Sequence, residues 1–112
     1  MDKRFNVLVE TVKELSKKDR KDISQKGLKL FEETGEVAEA LLSYNKAGSC
    51  AYKEKSLDDL KEELGDTLNC VLDIAIASGI EPKDVVEIAI EKCLYKWKPN
   101  IERELGNANK GE

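Results

Sequence analysis

The chain has 112 residues, of which 38% are charged and 5% aromatic, and its net charge is -4. This length fits one domain with a small core, and the negative charge argues against an extended nucleic-acid interface. Histidine is absent, which excludes Ser-His-Asp and Cys-His catalysis and the di-iron sites that helical bundles build from Glu-x-x-His pairs.

The cysteines and the N-terminus indicate a cellular compartment. Cys50, Cys70 and Cys93 are odd in number and lack the spacing of zinc ligands, which is typical of a reducing cytoplasm. The N-terminus has no apolar signal core, and no apolar run reaches the length of a membrane span. We therefore expect a cytoplasmic protein without a membrane partner.

Two helices are predicted in the first part of the chain. Apolar residues recur at i, i+3, i+4 and i+7 over residues 4–17, which predicts an amphipathic helix. Asp22 or Ser24 can cap a second helix, which we expect to run from about residue 23 to 45. Lys26 and Lys29 near its start are interpreted as surface residues.

A loop and a third helix follow. Residues 45–56 show no periodicity and predict a loop, which is either functional or a plain connector. Ser56 is a suitable N-cap, and Asp59 stands three residues later in roughly the capping-box position. Ser78 and Gly79 provide the signal that ends the third helix.

The last helix is bounded by prolines. Pro82 suits its first turn, and Pro99 is expected to end or kink it. Residues 101–105 can add one more turn, which Gly106 would close. Residues 107–112 are expected to form a flexible tail.

These elements define the predicted architecture. No strand pattern occurs, so the fold class is all-α, a bundle of four main helices in a single domain of residues 1–106. The second and third helices carry acidic motifs and are expected to lie antiparallel and face each other. A core of this size would gain from assembly into a homo-oligomer.

The two acidic motifs are nearly one motif written twice. Glu-Glu-x-Gly-acid occurs at residues 32–36 and again, thirty positions later, at residues 62–66. At about 100° per residue, Glu33 and Glu63 fall on the apolar stripes of their helices, with Glu36 and Asp66 at the edges. Because an unpaired buried carboxylate is heavily penalised, a positive group must meet them.

Oxygen ligands without nitrogen or sulfur are those that Mg²⁺ and Mn²⁺ prefer. The alternative is that these acids pair with lysines on solvated helix faces, but the duplication in register favours a metal site. Gly35 and Gly65 stand inside both motifs and cost about 0.5–1 kcal/mol each relative to alanine. They therefore predict close approach of another backbone or of a ligand.

A cation held by carboxylates commonly serves phosphoryl chemistry, since it neutralises phosphate oxygens and activates water. Candidate phosphate contacts are Lys92, Lys96 and Arg103. These side chains can equally pair with Glu91 and Glu102 on the surface. No Walker A or glycine-rich phosphate loop is present.

The doubled motif resembles the signature of the MazG-like all-α nucleoside triphosphate pyrophosphohydrolases, over about residues 23–106. The resemblance implies Mg²⁺-dependent hydrolysis of a nucleoside or deoxynucleoside triphosphate to the monophosphate and pyrophosphate. Metal-activated water would attack the α-phosphorus, in a homodimer or homotetramer.

The resemblance also implies roles for individual residues. The metal ligands it assigns are Glu33, Glu36, Glu63 and Asp66. Glu32 would orient or deprotonate the attacking water. Two other functions stay open, namely a non-catalytic nucleotide-binding or helical interaction module and a phosphoribosyl-ATP pyrophosphohydrolase.

Overall fold

The computed structural model describes residues 2–45 and 55–110, without the side chains of residues 108–110. The described chain is helical and contains no strand, which confirms the all-α prediction. Its elements are α1 (Lys3–Lys18), α2 (Ile23–Tyr44), α3 (Leu57–Ala77), α4 (Pro82–Lys92), a π-helical turn (Cys93–Trp97) and α5 (Lys98–Lys110). Most of the predicted loop of residues 45–56 lies outside the described residues. No described helix combines the length and apolarity needed to cross a membrane.

Capping boxes fix where α2 and α3 begin. The backbone N–H of Gln25 donates to Asp22 Oδ1 at 2.8 Å, and that of Asp22 donates to Gln25 Oε1 at 2.9 Å. Ser56 and Asp59 make the same reciprocal pair at the start of α3. Each box satisfies two backbone donors that the first turn leaves unpaired, so both starts lie where the sequence predicts them.

The end of α3 is also the predicted one. Ser78 follows the helix as its C-cap, and Gly79 has a φ of 75°. This left-handed conformation is unfavourable for residues with a Cβ atom. Gly79 is therefore the residue that allows the chain to leave the helix here.

The chain divides into two compact units, Met1–Gly79 and Ile80–Glu112. The predicted single domain of residues 1–106 stays a prediction. In the first unit α3 packs against both α1 and α2. The buried apolar side chains of this unit are mostly small, namely Val9, Val12, Ala40, Leu72 and Ala75.

Contacts at both ends of α2 and α3 define the relative direction of the two helices. Near the start of α2, Lys26 Nζ donates to Asp73 Oδ2 in the last part of α3 at 2.7 Å. Near the end of α2, Ser43 Oγ accepts from the backbone N–H of Lys55, just before α3, at 2.9 Å. The start of one helix thus meets the end of the other, so the two helices run antiparallel.

In the second unit, Pro99 does not end the helix. The backbone N–H of Lys98 donates to the carbonyl of Cys93, five residues earlier, which is the hydrogen bond of a π-helical turn. A proline inside a helix lacks a donor and crowds the carbonyl four residues before it, and a wider turn just ahead relieves that crowding. α5 then continues through Gly106 to Lys110, so the expectation that Gly106 closes the helix is wrong.

Candidate metal site

Three carboxylates from two helices meet in the first unit. Glu33 and Glu36 on α2 and Glu63 on α3 each offer one carboxylate oxygen, and these oxygens lie within 4.8 Å of one another. The i, i+3 spacing places the two α2 residues on one side of the helix. Glu33 is only 5% exposed, Glu63 is half-buried and Glu36 is exposed, so the cluster extends from the interior to solvent.

Two oxygens of this cluster have no protein partner. Glu33 Oε2 and Glu63 Oε2 are buried and accept no hydrogen bond from the described part of the chain. Buried polar atoms are rarely left unpaired, because their lost hydration is not compensated. A hard divalent cation prefers such all-oxygen surroundings, so the residues present fit Mg²⁺ or Mn²⁺.

The electrostatics of the cluster point the same way. The pKa of Glu63 is raised to about 7, first by a hydrogen bond with the Glu36 carboxyl, then by burial, and then by the charges of Glu36, Glu33 and Asp66. Near neutral pH Glu63 therefore keeps its proton for much of the time. A divalent cation would displace that proton on binding.

Lys29 provides the positive partner of the buried glutamate. Its Nζ lies 3.0 Å from Glu33 Oε1 and 3.5 Å from Glu32 Oε1. The hydrogen bond to Glu33 and the charges of Glu32 and Glu33 raise the pKa of Lys29. The prediction of a surface lysine does not include this contact, although the position of Lys29 four residues before Glu33 was the available signal.

Two of the predicted site acids lie outside the three-carboxylate cluster. Asp66 is exposed, one helical turn after Glu63, and its charge contributes to the raised pKa of Glu63. Glu32 is exposed beside Lys29. The roles of Asp66 as a ligand and of Glu32 beside the attacking water stay predictions.

Lys26 is buried, and the expectation of a surface lysine is wrong. It is 5% exposed, and its Nζ donates to Asp19 Oδ2 at 3.0 Å and to Asp73 Oδ2 at 2.7 Å. Burial acts to lower the pKa of Lys26, but the hydrogen bonds to Asp73 and Asp19 outweigh it and raise the pKa. Two carboxylates thus compensate the buried ammonium.

A cavity of about 320 Å³ lies between α1, α2 and α3 in the first unit. Lys29, which contacts Glu33, is part of its wall, together with Asn69 and Asp73 of α3. Leu8, Val12 and Leu15 of α1 form an apolar wall. This mixture of apolar surface and a few polar groups is typical of small-molecule sites, and the volume lies in their usual range.

The remaining predicted site residues belong to the second unit. Lys92 ends α4, Lys96 lies in the π-helical turn, and Arg103 lies on α5, where it donates to Asn100 Oδ1 at 2.9 Å. All three lysine and arginine side chains are exposed. Their role as phosphate contacts stays a prediction.

The glycines of the two motifs have open space around them. Apart from its chain neighbours and the nearby backbone of its own helix, a Cβ atom built on Gly35 or Gly65 meets no atom of the described chain within 4 Å. The expected close approach of a backbone is therefore not made by the described residues of this chain. Approach by a ligand or by a second copy stays a prediction.

One comparison with known proteins gives a match. The family model described as the MazG nucleotide pyrophosphohydrolase domain matches residues 21–101, which include all three clustered glutamates. No curated protein sequence and no solved structure matches the chain significantly.

Proposed function

Because this chain belongs to the MazG nucleotide pyrophosphohydrolase family, we propose that it hydrolyses a nucleoside or deoxynucleoside triphosphate to the monophosphate and pyrophosphate. The observation that carries the proposal is the cluster of Glu33, Glu36 and Glu63, with two buried oxygens that lack a partner among the described residues. Such a cluster needs a cation and can then accept an anionic substrate.

Mg²⁺, or Mn²⁺ in its place, would be held by Glu33, Glu36 and Glu63, with Asp66 completing the set from the next turn of α3. In such a site the ion neutralises phosphate charge and lowers the pKa of a bound water. Lys29 supplies a counter-charge to Glu33 and orients it through the 3.0 Å contact. Glu32, exposed on the same helix, would take the proton of the water that attacks the α-phosphorus.

The rest of the substrate would contact less acidic surfaces. The cavity beside Lys29 would hold the nucleoside, since it offers apolar walls and the Asn69 amide. Lys92, Lys96 and Arg103 would contact phosphate oxygens. The protein would act as a homodimer or homotetramer in the cytoplasm, without nucleic-acid or membrane partners.

The direct test is product analysis. The purified protein is incubated with Mg²⁺ and a panel of ribo- and deoxynucleoside triphosphates in ¹⁸O-labelled water. We expect pyrophosphate as the second product and the label in the monophosphate, because water attacks at the α-phosphorus. Release of orthophosphate, or label in pyrophosphate, would contradict the proposal.

Variants connect this activity to the cluster. Glu33→Gln and Asp66→Asn keep side-chain size and remove one charge each, and we expect hydrolysis to fall by about 100-fold or more for loss of a metal ligand. Glu62→Gln is the matched control, because Glu62 is an exposed neighbour of Glu63 outside the cluster. Full activity in the first two variants would remove the proposed site.

The same panel separates the alternatives. Nucleotide binding with Mg²⁺ but without product would identify a non-catalytic binding module. Hydrolysis restricted to phosphoribosyl-ATP, added to the panel, would identify that pyrophosphohydrolase instead.

A further inference from the structure

We infer that Lys26 is a positioning residue, whose ion pair with Asp73 sets the register of α2 against α3 at which the acidic cluster forms. This role rests on the proposed function, because it concerns the metal affinity of the same cluster. Lys26 stands two helical turns before Glu33, outside the cluster of Glu33, Glu36 and Glu63.

The spacing on the two helices carries the inference. Glu36 stands ten positions after Lys26 on α2, and Asp73 stands ten positions after Glu63 on α3. Since the helices are antiparallel, the Lys26–Asp73 pair and the Glu36–Glu63 pair belong to one register. A slip by one residue moves a side chain by about 1.5 Å along the axis and about 100° around it, which would separate both pairs together.

The apolar core offers weaker control of this register. The buried apolar residues of α2 and α3 are Ala40, Leu72 and Ala75, and apolar contacts have no preferred direction. Lys26, in contrast, is 5% exposed and donates to Asp73 Oδ2 at 2.7 Å. A register that separated them would leave a buried ammonium short of a partner, which is strongly disfavoured.

Asp19 provides a matched control within the same ion cluster. It also accepts from Lys26, at 3.0 Å, but it follows α1 as its C-cap and belongs to neither acidic helix. Asp19→Asn and Asp73→Asn make the same chemical change, and each leaves Lys26 one carboxylate. Of the two substitutions, only Asp73→Asn removes the ion pair that joins α2 to α3.

The first experiment measures Mn²⁺ affinity without nucleotide, by calorimetry or by the electron paramagnetic resonance of free Mn²⁺. We expect Asp73→Asn to weaken binding about tenfold or more, as substitutions that misplace ligands do. Asp19→Asn should stay within about twofold of the unmodified protein. Equal effects of the two substitutions would overturn the inference.

The second experiment asks whether replacing Lys26 strengthens or weakens Mn²⁺ binding. Removing a positive charge near an acidic site strengthens cation binding if only Coulomb attraction acts. We expect the opposite from Lys26→Met, a loss of Mn²⁺ affinity, because the register is no longer held. Lys26→Arg, which keeps the charge and the donors, should retain affinity. Tighter Mn²⁺ binding by Lys26→Met would overturn the inference. The same result is expected if Asp73 contacts the ion directly, because losing Lys26 would free the Asp73 carboxylate for the ion.

Two controls separate this role from its alternatives. Val9→Ala removes buried apolar surface from α1 at a residue that does not line the cavity, and it should lower thermal stability without changing Mn²⁺ affinity. If it weakens Mn²⁺ binding as much as Asp73→Asn, the loss reflects stability and the inference fails. If Lys26→Met does not fold, the two aspartate variants decide alone. An unmodified protein that binds no Mn²⁺ contradicts the proposed metal site, whereas Mn²⁺ binding unaffected by Asp73→Asn contradicts only the register role.

Discussion

Lys29 Nζ lies 3.0 Å from Glu33 Oε1, and the two residues stand four positions apart on α2. The other oxygen of the same carboxylate, Glu33 Oε2, is buried without a partner in the described part of the chain. One oxygen of the glutamate is thus neutralised by an ammonium group, and the second is left for a cation. This division of roles within one side chain leads to the first prediction.

Lys29→Met should make the protein depend more strongly on divalent cations. Without the ammonium, Glu33 keeps a buried carboxylate with no counter-charge, so we expect the melting temperature in EDTA to fall by about 3–6 °C. Added Mg²⁺ should then raise the melting temperature by more than it does in the unmodified protein. Thermal denaturation with and without Mg²⁺ measures both effects.

Lys61, a lysine of α3, provides the control for this change. Lys61 is 71% exposed and lies 3.7 Å from Asp58 Oδ1, and exposed ion pairs contribute little to stability. Lys61→Met should therefore leave both melting temperatures nearly unchanged. A Mg²⁺-induced rise in Lys29→Met no larger than in the unmodified protein would contradict the assigned role.

Glu36→Gln should stabilise the metal-free protein and disable the site. The substitution removes one of three mutually repelling acids, so we expect the melting temperature in EDTA to rise by about 2–5 °C. The stabilisation by Mg²⁺ should largely disappear, because an amide is a poorer ligand than a carboxylate. Glu62→Gln should show neither change. Stabilisation of Glu36→Gln by Mg²⁺ to the same extent as the unmodified protein would exclude Glu36 as a ligand.

The pH dependence of stability should report on Glu63. Its pKa is raised from 4.5 to about 7 in the folded protein, so between these values the folded state binds more protons than the unfolded state. The free energy of unfolding in EDTA should consequently fall as pH rises from about 4.5 to 7. Glu63→Gln mimics the protonated acid and should lack this component of the fall.

The measurement is urea denaturation at a series of pH values, and the quantity of interest is the difference between the two proteins. Metal affinity should follow the opposite trend and rise through the same interval, because the proton and the cation compete. A stability difference that does not change between pH 5 and 7 would show that Glu63 titrates normally.

The cavity beside Lys29 is tested by filling it. Asn69→Trp places a large side chain at the cavity wall, and we expect the KM for nucleotide to rise about tenfold or more while Mn²⁺ affinity changes little. Lys61→Trp adds the same bulk on α3 to an exposed residue that does not line this cavity. If both variants keep the KM of the unmodified protein, the nucleoside binds elsewhere.

Local interactions explain why the helix boundaries could be predicted from the sequence. The starts of α2 and α3 are set within three residues by Asp22 with Gln25 and by Ser56 with Asp59. Hydrophobic periodicity likewise placed Glu33 and Glu63 towards the core, and they are buried and half-buried.

Long-range partners explain what could not be predicted. Lys26 was assigned to the surface because nothing in its neighbourhood identifies Asp73, 47 residues later, as its partner. A signal existed, since Lys26 lies seven residues before Glu33 and hence on nearly the same face. The π-helical turn was missed for another reason, because Pro99 indicates an interrupted hydrogen-bond ladder but not how the backbone accommodates it.

The π-helical turn has a consequence for everything that follows it. The π-helical turn Cys93–Trp97 contains about one residue more than an α-helical turn. The side chains of α5 are therefore rotated about the helix axis by about 100° relative to their positions in an unbroken helix. Removing one residue from this turn would swing Arg103 to another side of the rod without altering any arginine atom. The direction in which the Arg103 guanidinium points therefore depends on the number of residues in the turn before it.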